Sequence, residues 1–259
     1  ECPTGYYIPD GIDLLNPEET ESFSYYSLNP SVGAAWQATP ELNLYANFSQ
    51  GVRVPSVIEL GCALDKTPVS IGTDANGEKK YIYKSLKENR SCSLPSTLSG
   101  DPYLPQIKAQ TVEVGVRGII DNDIQWNLSA YQTNIKDDLY LVSYPDNRNF
   151  FDSIGATRRQ GIEAGLSGQK GKWSFSVNYS LTDATFQDKF TIAGNDNSSS
   201  YEDYIGNYNY SRLIDVEPGS RMPGVSLHNL NATVNYQVTP KWTLGLTAVA
   251  HSSSYVRGN

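Results

Sequence analysis

The sequence predicts an all-β fold, about eight long antiparallel strands forming a segment of a transmembrane β-barrel of the bacterial outer-membrane type. Three observations predict it. Apolar and polar residues alternate with period two over stretches of about ten residues, the length at which a tilted strand crosses a membrane. Short turns alternate along the chain with long polar connections, and all four Trp stand beside the short turns.

The alternation is explicit in each element. In residues 42–50, Leu42, Leu44, Ala46 and Phe48 alternate with Asn43, Tyr45, Asn47 and Ser49. In 110–119, Val112, Val114 and Val116 alternate with Thr111, Glu113, Gly115 and Arg117. In 124–133, Ile124, Trp126, Leu128 and Ala130 alternate with Gln125, Asn127, Ser129 and Tyr131. In 173–181, Trp173, Phe175, Val177, Tyr179 and Leu181 alternate with Ser174, Ser176, Asn178 and Ser180. In 229–237, Leu230, Ala232, Val234 and Tyr236 alternate with Asn and Thr, and in 242–250 Trp242, Leu244, Leu246 and Ala248 share a face. Residues 30–38 and 160–168 follow the rule more loosely. Strands of globular sheets are typically shorter, about five or six residues.

Four connections are short: Thr39-Pro40-Glu41, Asp121-Asn122-Asp123, Gln169-Lys170-Gly171 and Thr239-Pro240-Lys241. Three are long, 51–108, 138–157 and 187–225. Short periplasmic turns and long extracellular loops distinguish the two ends of outer-membrane barrels. Trp36, Trp126, Trp173 and Trp242 lie within about three residues of the short turns, each on the apolar face of its strand. Indole rings favour the membrane–water interface, so the four form an expected aromatic girdle on the periplasmic side. The competing reading is a soluble β-protein whose Trp cap its core.

Composition excludes several classes. With mean hydropathy −0.44, no apolar run reaches the ~18–20 residues of a membrane helix, whereas a barrel wall keeps a low mean because half its residues face the lumen. A net charge of −8 leaves no basic stripe for nucleic acid. Neither Cys-x-x-Cys nor His-x-x-x-His spacing occurs, so no zinc site and no cofactor are expected. The chain opens Glu1-Cys2-Pro3 without a basic segment and apolar core of a signal peptide, as in a mature or internal segment. An enzyme is the weakest reading: His228 and His251 lie at strand edges, and Asp137-Asp138 at a strand exit reads as solvated loop carboxylates.

Cys62 and Cys92 share the first long connection. Disulfides persist at cell surfaces, and a bridge here would close a flexible loop. Cys2 is then left over, with a partner expected outside the segment. The third connection carries Tyr201, Tyr204, Tyr208 and Tyr210 among acidic and amide residues. Two readings stay open for them: a ligand-contacting loop tip, since Tyr supplies contact area at low entropic cost, or a loop hairpin packed on its own rings.

At Tyr45-Ala46-Asn47-Phe48-Ser49-Gln50-Gly51-Val52-Arg53-Val54-Pro55-Ser56, followed by Glu59-Leu60, the chain resembles TonB-dependent outer-membrane receptors. Residues 108–118, the Arg159-Gln160-Gly161-Ile162-Glu163 stretch and Pro218-Gly219-Ser220-Arg221-Met222-Pro223 resemble later strands of that family, in its order. The Cys62/Cys92 pair fits a subgroup with a disulfide in this loop. The resemblance implies a 22-stranded barrel of which these strands are a late part, an N-terminal plug domain lying outside this sequence, and coupling of that plug to the TonB complex. The alternative is a complete eight-stranded barrel, in which the first and last strands would pair.

The resemblance implies energised uptake of a scarce small molecule (a ferric siderophore first, otherwise a glycan or cobalamin) by a receptor embedded in outer-membrane lipid. A passive porin-like or adhesin-like barrel without TonB coupling is the alternative. For single residues, Arg53 and Pro55 stand where a strand leaves the membrane, and Pro suits a strand end because it donates no ladder bond. Arg53 reads either as lumen-lining, paired with an acidic group of the plug, or as a rim charge. Glu113, Arg117 and Glu163 fall on the polar face, which predicts a lumen-facing ladder of ion pairs rather than ligand contacts.

Overall fold

A computed structural model describes residues 22–73, 77–92, 102–144, 148–194, 197, 199–204 and 210–256. Leftover Cys2 lies outside them. Eight long strands form one antiparallel sheet: β1 (Ser31–Thr39), β2 (Leu42–Arg53), β5 (Ile107–Ile120), β6 (Ile124–Lys136), β9 (Thr157–Lys170), β10 (Trp173–Phe186), β14 (His228–Thr239) and β15 (Trp242–His251). Their order is β1-β2-β5-β6-β9-β10-β14-β15. Every strand pairs with the next long strand in the chain, as hairpins require. β1 and β15 occupy opposite edges and do not pair, so the chain does not close on itself as an eight-stranded barrel.

The tight turns carry their own chemistry. Thr39 and Thr239 pair across two-residue loops with Leu42 and Trp242, and each Thr hydroxyl accepts the backbone N–H two residues on, at 3.3 Å. Asp121 and Asn122 both adopt positive φ, 52° and 61°, the left-handed pair that matches strand twist in a hairpin. The turn expected at Gln169-Lys170-Gly171 shifts by one residue. Lys170 still pairs with Trp173, leaving Gly171, at φ 61°, to turn the chain.

Strands run further into the long connections than the alternation predicts, up to 14 residues in β5, β9 and β10. The physical reason is an inversion of the two faces. From Val112 to Ile120 the apolar face of β5 runs ~27 Å along the strand and continues through Leu44, Leu128, Leu166, Val177 and Leu230. Beyond it the same face turns polar, with Gln50–Gln110 and Asn134–Arg158 joined by side-chain hydrogen bonds of 2.8 Å. The other face does the opposite. It is polar through Asn43, Arg117, Asn127 and Asn178, then apolar at Ile107, Ala109, Ile135, Ala184 and Phe186. Period-two reading terminates a strand where the pattern flips, although the backbone ladder continues.

The buried core therefore sits at one end of the wall. Ala63 and Leu104 pack with Ile107, Ile135 and Leu139, and Phe186 and Ala184 pack with Val142, Ile154, Val216 and Met222. Mid-sheet apolar residues stay exposed, Val114 at 51% and Leu128 at 46%, a feature foreign to soluble sheets and expected where lipid covers one face.

Each long connection contains its own elements. The first holds α1 (Val57–Gly61), the hairpin β3 (Pro68–Thr73) with β4 (Lys79–Tyr83), and α2 (Lys84–Lys87). The second holds a hairpin of β7 (Leu139–Tyr144) and β8 (Arg148–Ser153); the third holds β11 (Phe190–Ala193), β12 (Tyr201–Tyr204) and β13 (Tyr210–Val216) in the order β11-β13-β12.

Candidate functional site

The strand exit that carries the family-like motif folds into one constellation. Ser56 caps α1: its hydroxyl accepts the Glu59 N–H at 3.3 Å, and the Glu59 carboxylate accepts the Ser56 N–H at 2.7 Å, a capping box. The same carboxylate takes both ends of the Arg53 guanidinium, at 2.7 and 2.8 Å. Pro55 is buried. Arg53 thus has a partner six residues away in the chain, the Glu59 carboxylate. Ser56-Val57-Ile58-Glu59 spells the capping-box signature in the sequence, so this contact had a legible signal.

The Arg53 hydrogen bond, with the Ser56 groups, outweighs burial and holds the Glu59 carboxyl below its ordinary value of 4.5. A depressed carboxyl stabilises the fold above its unfolded pKa and loses that contribution as pH falls through the folded one. Glu59→Gln should weaken the corner by ~1–2 kcal/mol, discounted because Arg53 is half exposed. The check is limited proteolysis across 54–62: wild type should open only below the ordinary carboxylate range, the variant already at neutral pH.

Cys62 and Cys92 form a disulfide. The closed loop sits on the second connection. Cys62 and Cys92 bracket β8 through Phe151 N–H to Cys62 O at 2.8 Å and Cys92 N–H to Asn149 O at 3.1 Å. Lys66 pairs with Asp152 at 2.7 Å, and Arg148 donates to the Leu86 carbonyl at 3.0 Å. Asp138, read as a solvated carboxylate, instead accepts the Thr157 hydroxyl at 2.7 Å and faces Arg159 at 4.0 Å. The loops thereby form one layer over the end of the polar face, held by contacts between residues far apart in sequence.

On the polar face, Glu113, Arg117 and Glu163 share a side, as the alternation predicts, but form no ladder of ion pairs. Glu113 accepts the Tyr45 hydroxyl at 2.9 Å, and Arg117 donates to Asn43 at 3.0 Å while lying 5.7 Å from the Tyr45 ring centre. Glu113 and Arg117 are four residues apart on one strand, ~13 Å, beyond ion-pair reach. Gly115 lets the Tyr45 ring lie flat between them, since a Cβ there would come within 2.5 Å of the ring. Glu163 stands in register with Ser129 and Ser180 and lines a hollow of about 310 Å³ with Asn229 and His251. A furrow of about 620 Å³ runs past Gln37, Asn43, Tyr45, Arg117, Gln125 and Asn127. His228 and His251 each hold a hydrogen bond, to Tyr179 at 2.8 Å and to Asn229 at 2.7 Å.

Trp36, Trp126, Trp173 and Trp242 all stand on the apolar face at the tight-turn end. Trp173 packs on Tyr236 with ring centres 4.6 Å apart, and Trp36 and Trp242 are 68% and 71% exposed. Tyr201 opens β12 and donates to Asp215 at 3.0 Å; Tyr204 and Tyr210 are register partners, and Tyr208 lies outside the described residues. The Thr191 hydroxyl, joined by Lys189 and Tyr201, holds the Asp215 carboxyl below its ordinary range.

The comparisons with known proteins agree with this geometry. The family model for the TonB dependent receptor-like β-barrel matches residues 7–259. The siderophore receptor PirA from Pseudomonas aeruginosa is similar in fold, at 13% identity and a TM-score of 0.50 over 89% of this chain and 34% of that one. The FrpB iron transporter from Neisseria meningitidis aligns at 17% identity and a TM-score of 0.49 over 86% of this chain and 26% of that one. The chain spans about a third or less of those it resembles. With eight paired wall strands, a strand exit locked by Arg53 and Glu59, and that match along nearly its whole length, the chain belongs to the TonB-dependent receptor-like β-barrel family.

Proposed function

We propose that this chain is a wall segment of an outer-membrane receptor that takes up a scarce small molecule, a ferric siderophore in the first instance, with energy supplied through a plug domain and the TonB complex. The observation that carries this reading is the inversion of the two faces. The apolar band meets outer-membrane lipid, and the Asn- and Ser-rich face with Glu113, Arg117 and Glu163 lines the lumen. The apolar rim at Ile107, Ile135 and Phe186 draws the long loops inward over the mouth. At the ~40° tilt of such walls, the band on β5 spans ~21 Å, near the ~25 Å of outer-membrane barrels. The Trp at the turns then form the periplasmic girdle, and the loops, with Tyr201, Tyr204, Tyr208 and Tyr210 in the third, face the ligand outside.

A structural neighbour named a siderophore receptor supports the siderophore class. The test uses the full-length gene. Under iron limitation, its deletion should abolish uptake of one or more radioiron-loaded siderophores, and loss of TonB should do the same. Uptake that persists without TonB would establish the passive porin-like alternative, and no defect for any siderophore would turn the search to glycans and cobalamin.

A further inference from the structure

Above the apolar band the outward face carries cations without counter-charges among the described residues. Lys108 on β5 and Lys136 on β6 are directly opposed in register, and both are exposed. Arg158 on β9 stands opposite Asn134, one step below Lys136 on the same face. Directly opposed side chains sit ~5 Å apart at Cβ and diagonal ones ~7–8 Å, and like charges in such positions repel. No ion pair joins any of the three to a carboxylate among the described residues. Arg158 spends its Nε on Asn134 at 2.8 Å, which leaves the outer edge of its guanidinium to a further acceptor.

Two carboxylates of these strands have other partners. Asp138 accepts from Thr157 on the opposite face, and Asp183, opposed to Gln160 on the same face as Arg158, accepts from Gln160 and faces Arg221. Asp137 follows Lys136 where the chain leaves the strand at φ 55°. At the other end of the wall the arrangement differs: Lys170 pairs with Asp121 at 3.0 Å. The basic cluster is also remote from the sheet edges, since β5, β6 and β9 are its third, fourth and fifth strands.

We infer that Lys108, Lys136 and Arg158 form a binding site for the phosphorylated headgroup of an outer-leaflet lipid. This rests on the membrane reading above and adds a specific ligand to it. Depth fits. Lys108 lies four residues beyond Val112, ~13 Å of strand or ~10 Å above the apolar edge at the usual tilt, where headgroup phosphates lie. Long basic side chains bend along apolar surface to place their charge at that level. Chemistry fits too, because a phosphate between two opposed ammonium groups and a guanidinium converts a repulsive cluster into three charge-assisted contacts. A single phosphorylated lipid held here would tie three adjacent strands together on the side away from the lumen.

The test uses the full-length receptor in phosphatidylcholine nanodiscs doped with bis-phosphorylated lipid A, with retained lipid A counted by native mass spectrometry. Each basic residue near an anionic surface contributes about fivefold in affinity. The combined variant Lys108→Gln, Lys136→Gln, Arg158→Gln should therefore lose about a hundredfold. Lys108→Arg with Lys136→Arg should retain lipid A, as should Lys172→Gln with Lys241→Gln at the turns. Wild type should also discriminate against dephosphorylated lipid A. Equal retention by wild type and the triple Gln variant, or no preference for the phosphorylated lipid, overturns the site while leaving a disc-embedded protein and the membrane reading intact. A wild-type protein that does not enter the discs overturns both.

Discussion

Leu128→Arg should destabilise the full-length barrel by ~2–4 kcal/mol, whereas Asn127→Arg, one residue away, should change stability by less than ~1 kcal/mol. Leu128 sits mid-band on the apolar face, 46% exposed in this chain and opposed to Val116 and Ala164. A guanidinium there must be buried in hydrocarbon or reach for a headgroup ~10 Å away. Asn127 is exposed on the polar face beside Gly165, where an added cation stays hydrated. Urea titration of folding into phosphatidylcholine vesicles measures the difference. Equal penalties for the two variants would mean that the faces are not divided between lipid and water.

Phe186→Ala should cost ~3–5 kcal/mol, and the loss should fall on the loop layer rather than on the whole wall. Phe186 is 3% exposed at the end of β10 and meets Tyr140 and Phe190 edge-on, with ring centres 6.1 and 5.0 Å away. It belongs to the cluster formed by the second and third connections, with Val142, Val216 and Met222. Removing the ring leaves a cavity where those connections meet, and nothing in the ladder of β10 with β9 and β14 depends on it. Hydrogen exchange should therefore show faster amides in β7, β11 and β13, with β9 and β14 protected as before. If ligand capture needs ordered loops, affinity should fall in the same variant. Uniform deprotection of the wall would show that loops and wall unfold as one unit.

Inversion of face polarity explains why the wall was readable and its rim was not. Alternation is a local property, because successive side chains point to opposite sides of any strand; residues 42–50 and 173–181 therefore announce themselves in one dimension. The turns do so too, through Thr-Pro and Asp-Asn. The loop-end residues of β5, β6 and β10 break the pattern because Ile107, Ile135 and Phe186 face loops from elsewhere in the chain. Their apolar character answers a tertiary neighbour. The expected ladder among Glu113, Arg117 and Glu163 failed for a related reason: sharing a face does not set a distance along the strands, and Tyr45 and Asn43 were nearer.

What the sequence by itself determined is the repeating unit, a long strand with one apolar face closed by a tight turn, together with the cysteines that meet in the first loop. These follow from backbone geometry and from residues near one another in the chain. Tertiary structure alone decided the register that opposes Lys108 to Lys136, the docking of the Cys62–Cys92 loop on β8, and the inward fold of the loops over the polar face. Each depends on which side chains meet across long separations, and burial and charge pairing act there only after the strands have been brought together.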